Sequence, residues 1–67
     1  MLEIGKKYWF RKKFKDGEMS VKGEVLEENA FMVKIKRDNE SEDFICFSEL
    51  LSVNPAREVQ NVQKERN

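Results

Sequence analysis

The chain has 67 residues, 39% hydrophobic, with five Phe, one Trp, one Tyr and three Met, which is enough for one small core and too little to wall a deep catalytic cleft. Thirteen basic and thirteen acidic residues cancel to a formal net charge of zero, which together with the aromatic content excludes a charge-expanded disordered chain. No apolar run approaches the ~18 residues of a membrane span, nothing reads as a signal peptide, and a single Cys with no disulfide partner fits a reducing, cytoplasmic compartment.

Period two organises most of the chain. In the first run Tyr8, Phe10 and Phe14 share one face, while Lys7, Trp9, Arg11 and Lys13 share the other. Asp16-Gly17 then supplies turn chemistry. From Met19 to Val25 the odd positions are apolar or Gly and the even ones polar, so this run predicts a half-buried strand. Gly23 inside it weakens a strand unless the chain bends or bulges there. After a turn at Glu28-Asn29, Phe31, Val33 and Ile35 form another apolar face, predicted to be buried together. A polar turn covers Asp38, Asn39, Glu40 and Ser41. Phe44 to Phe47 is apolar on both faces, which predicts a strand buried on both sides or packed under a loop, with Cys46 as a small buried hydrophobe. Residues 48–51 suit one turn of 3₁₀ helix before a last strand at Ser52-Val53. Asn54-Pro55 then reads as an N-cap followed by Pro at the first helical position. Ala56, Val59 and Val62 recur every three residues, predicting a short helix or a flexible tail over residues 55–67.

Leu2 to Phe10, with Gly5 ahead of an alternating strand, resembles the opening of SH3-like small β-barrels. The run Val21-Lys22-Gly23-Glu24-Val25 is similar to the stretch on which those barrels bend their second strand. Phe31 to Ile35 matches a third strand, and Asp43 to Leu50 a fourth with its short turn. The resemblance covers residues 2–54 and lies nearer the Tudor-like and KOW-like barrels than the signalling SH3 domains, whose Ala-Leu-Tyr-Asp-Tyr segment and paired Trp are missing. It implies an all-β, five-stranded antiparallel barrel over residues 1–54. Architecture of this kind leaves function to the individual site.

Catalysis is disfavoured by what is missing. The chain has no His, so the commonest general base and the commonest nitrogen ligand for metals are absent. Cys46 sits between Ile45 and Phe47 with no basic neighbour in sequence to activate it. The acids at 38–43 lack the Gly and the spacing of a calcium loop. Glycines 5, 17 and 23 are isolated and form no phosphate-binding loop. A non-enzyme with no cofactor and no metal is the expectation.

Charge is zero in sum but not in place. Residues 1–15 carry Lys6, Lys7, Arg11, Lys12, Lys13 and Lys15 against Glu3 alone. Salt screens exposed charges beyond roughly 8–10 Å, so a partner feels the nearest patch rather than the total. An outward Trp9 flanked by Lys7, Arg11 and Lys13, with Lys15 following, suits nucleic acid: a base stacks while cations meet phosphates. A second candidate surface is the acidic stretch Asp38, Glu40, Glu42 and Asp43 with Glu27 and Glu28, which would mimic phosphates or dock on a basic protein. Two classes therefore stand. One is a nucleic-acid-binding module working through the first strand. The other is a protein-interaction module, an adaptor or inhibitor of a larger enzyme of the kind phages and mobile elements carry.

Overall fold

A computed structural model describes residues 2–56 of the chain. Five antiparallel strands account for most of them: β1 (Lys7–Phe14), β2 (Gly17–Glu28), β3 (Met32–Arg37), β4 (Glu42–Cys46) and β5 (Leu50–Pro55). A 3₁₀ turn, Phe47–Glu49, joins β4 to β5. The fold is all-β, as the alternation requires.

The strands form one sheet in the order β4-β3-β2-β1-β5. No pairing joins β4 to β5 among the described residues, so the sheet stays open where a closed barrel was expected. The two strands end on opposite edges because β5 returns to β1, pairing Tyr8 with Pro55 and Phe10 with Val53. Two register shifts, between Arg11 and Lys12 on β1 and between Val25 and Glu27 on β2, accentuate the twist that lets an open sheet cover its own inner face.

That inner face is the core. Tyr8, Phe10, Val21, Val25, Val33, Ile35 and Ile45 are buried, with Leu2, Met19, Phe47, Leu50 and Val53 packed around them. The Tyr8 hydroxyl accepts a hydrogen bond from the Glu3 backbone N–H at 3.0 Å, which satisfies its polar end at the core margin. Beyond the bulge at Leu26 the alternation of β2 inverts. Glu28 thereby lies opposite Val33, and its Oε1 accepts the Leu2 N–H at 3.0 Å.

Several expected core positions fall elsewhere. Phe31 is 77% exposed. The Asn29 side chain accepts the N–H groups of Phe31 (2.7 Å) and Met32 (2.9 Å), so the turn persists to Phe31 and the strand begins one residue later. Phe14 is exposed because β5 pairs with β1 only as far as Lys12 and leaves no cover over the end of the hairpin. Strand β4 is buried on one side and not both: Ile45 points inward, Phe44 is 56% exposed, and Cys46 is half-buried on the outer side opposite Met32. Asn54 and Pro55 end a strand where the sequence suggested a helix start, and the Ala56 N–H continues the pairing to Lys7 O at 3.0 Å. Residues 57–67, the rest of the expected helix or tail, lie outside the described residues.

Candidate nucleic-acid interface

The outer face of β1 carries most of the candidate site. Trp9 lies directly opposite Lys22 on β2 and Asn54 on β5, so three neighbouring strands present these side chains together. The ring is 46% exposed. Arg11 follows two residues on, between Ser20 and Ser52. Lys7 precedes Trp9 and faces Glu24. Lys13 faces Glu18. Lys15 lies past the strand in the β1–β2 turn with a left-handed φ of 53°, its Nζ 5.3 Å from the Phe14 ring centroid. Four of the five predicted residues thus share one outward row about 20 Å long, at 3.3 Å per strand residue, and the fifth extends it.

Acids of the same chain line the row. Asp38 lies 4.0 Å from both Lys7 and Lys22, and Glu18 lies 3.5 Å from Arg11. All these groups are substantially solvated, and exposed pairs of this kind contribute about 0.2–1 kcal/mol each. Such pairs are cheap to break. Lys13 and Lys15 have no ion pair among the described residues.

Trp9 also borders an open depression of about 330 Å³ lined by Ser20, Val21, Lys22, Arg37, Asp38 and Asn39. Long-range pairing brings these residues to Trp9; of them the sequence alone marked only Asp38, and that for the acidic surface rather than for this one. Alternation places Lys22 on a polar face, but only the β1–β2 register sets it beside the indole.

The acidic stretch is organised differently. Asp38 reaches Lys7 and Lys22, Glu40 reaches Lys36 (3.2 Å), Glu42 reaches Lys34 (3.2 Å) and Asp43 reaches Arg37 (3.4 Å). The Glu40 hydrogen bond, and then its charge, raise Lys36 above the ordinary lysine pKa. Each of the four carboxylates lies against a cation of the sheet. Among the described residues no cluster of three or more His, Cys, Asp or Glu is placed to hold a metal ion, and no helix is long and apolar enough to cross a membrane.

Comparison with protein-family models, with curated proteins and with solved structures found no match to this chain.

Proposed function

We propose that this chain is a non-catalytic module that binds nucleic acid on the outer face of β1. The observation that carries the reading is the half-exposed Trp9 seated between Lys22 and Asn54, with Lys7, Arg11 and Lys13 along the same row. An accessible indole on a pleated face gives a base a stacking surface, and cations spaced along the strand meet successive phosphates. The strand count and the turn between β4 and β5 support reading the architecture as an open relative of the SH3-like small barrels, while the irregularity of β2 falls at Leu26, just past the Val21–Val25 stretch expected to bend. Docking of a basic protein on Asp38, Glu40, Glu42 and Asp43 is the alternative; intrachain ion pairs engage those carboxylates as they engage Lys7 and Arg11, so the half-exposed Trp9 in the basic row is what favours the first reading. The lone, half-buried Cys46 accords with a reducing cytoplasm.

An electrophoretic mobility shift over a salt series tests the reading. If Lys7, Arg11, Lys13 and Lys15 each neutralise one phosphate, log affinity falls against log salt with a slope near −3.6 on duplex DNA and near −2.8 on single strands. Reversing Arg11 and Lys13 to Glu abolishes binding to every sequence tested, because phosphate contacts position the protein without reading bases. Wild-type protein that binds neither DNA nor RNA at low salt rejects the reading.

A further inference from the structure

The β1–β2 hairpin outruns the rest of the sheet. Strand β3 pairs with β2 only from Gly23 to Glu28, and β5 pairs with β1 only from Tyr8 to Lys12. Beyond Lys12 the pairs Lys13–Glu18 and Phe14–Gly17, closed by the Lys15-Asp16 turn, have no third strand on either side. The end of the hairpin is therefore a free two-stranded ribbon. At about 3.3 Å per residue it reaches roughly 10 Å past the sheet, including its turn.

Its chemistry is lopsided. Residues 11–18 hold Arg11, Lys12, Lys13 and Lys15 against Asp16 and Glu18. Glu18 is engaged by Arg11 and Lys12 lies near Glu49, which leaves Lys13 and Lys15 at the tip with no ion pair among the described residues. Phe14 is 48% exposed beneath Lys15.

Resting on the nucleic-acid reading, we infer that this ribbon is the grip for double-stranded DNA and enters the major groove, with Lys13 and Lys15 on the flanking phosphates. The dimensions agree. Two strands about 4.8 Å apart enter a B-form major groove about 12 Å wide and 8.5 Å deep, which admits a two-stranded ribbon. The undeformed minor groove, about 6 Å wide, is too narrow for paired strands carrying side chains, and a ribbon enters it only by widening or kinking the duplex. The deep, narrow major groove of A-form RNA also excludes them. The ribbon therefore selects duplex DNA over duplex RNA. Trp9, set back on the sheet, serves unpaired bases.

The test is fluorescence anisotropy with one labelled sequence prepared as duplex DNA, duplex RNA and single-stranded DNA. Duplex DNA binds about tenfold more tightly than duplex RNA. Methyl green, a major-groove ligand, displaces the protein, and netropsin, a minor-groove ligand, does not. Neutralising Lys13 and Lys15 (Lys13→Gln with Lys15→Gln), in protein whose far-UV circular dichroism matches wild type, flattens the duplex salt slope by about 1.8. That is roughly a 12-fold difference across 50 to 200 mM salt. Independently of any variant, a wild-type duplex slope shallower than about −1.8 excludes two phosphate contacts and overturns the inference. Displacement by netropsin, failure of methyl green to compete, equal affinity for both duplexes, or an unchanged slope in the neutralised variant also overturns it. Binding to single strands without binding to duplex sinks the ribbon inference and leaves the Trp9 reading standing. Binding to no nucleic acid removes both, and that result together with capture on anionic vesicles would make the tip a membrane contact instead.

Discussion

Gly23 and Ile35 fit together because Gly23 has no side chain: a Cβ there would lie 2.7 Å from Ile35 Cδ1, 3.0 Å from its Cβ and 3.1 Å from its Cγ1. Ile35 is fully buried, and its β-branch leaves few alternative rotamers. Gly23→Ala is therefore expected to cost about 1–3 kcal/mol through overpacking. Ile35→Val removes the Cδ1 methyl and on its own costs about 0.5–1.5 kcal/mol. Combined, the two should cost less than their sum, because the valine removes Cδ1, the tightest of the three contacts the alanine would meet. Urea denaturation of the four proteins in the cycle measures the coupling. Strict additivity would show that the two positions do not compete for one volume.

The aromatic side chains divide sharply. Phe10 is fully enclosed, and Phe10→Ala should cost about 3–5 kcal/mol. A core this small supplies roughly 3–5 kcal/mol in all, so that variant is expected to be largely unfolded at room temperature. Phe31→Ala, at an exposed position, should change stability by less than about 0.5 kcal/mol. Denaturation midpoints decide it. A large loss in Phe31→Ala would place Phe31 in the core after all.

This contrast shows where the sequence was legible. Alternation identified the inward set of β1, β2 and β3 correctly at Tyr8, Phe10, Val21, Val25, Val33 and Ile35, because one residue out of step would expose the whole row. It failed where the parity itself changes. The bulge at Leu26 has no composition signal, and the Asn29 turn consumes Phe31, which the pattern assigned to the strand. Asn54-Pro55 carries the same residues whether a helix begins or an edge strand ends, and only its pairing to Tyr8 decides. The site divides in the same way. Its own strand could be read directly, whereas Lys22, Asn54 and Asp38 reach Trp9 through register.

Cys46 marks another parity effect, since it stands on the outer side of edge strand β4 opposite Met32. Partial exposure predicts that a thiol reagent modifies it in the folded protein, without waiting for global unfolding. Cys46→Ser should leave stability within about 0.5 kcal/mol of wild type, because the hydroxyl stays within reach of water. Labelling rates across a urea series check this. A rate that rises only in step with unfolding would mean that Cys46 is closed off.

Trp9 separates a binding residue from a packing residue. About half of its surface is covered, so Trp9→Ala should cost roughly 1–2 kcal/mol of stability from apolar area alone, well short of the loss in Phe10→Ala. Its loss in binding single-stranded DNA should be about 1–3 kcal/mol, the value of one base stacked on an aromatic ring. Because Trp9 is the one tryptophan in the chain, its fluorescence reports the site directly. Titration with oligothymidylate should quench the emission at concentrations that match the binding isotherm. Quenching without a matching loss of affinity in Trp9→Ala would make the indole a bystander near the phosphates. An alanine variant that unfolds would instead assign Trp9 to the packing of the sheet and remove the stacking surface from the proposed site.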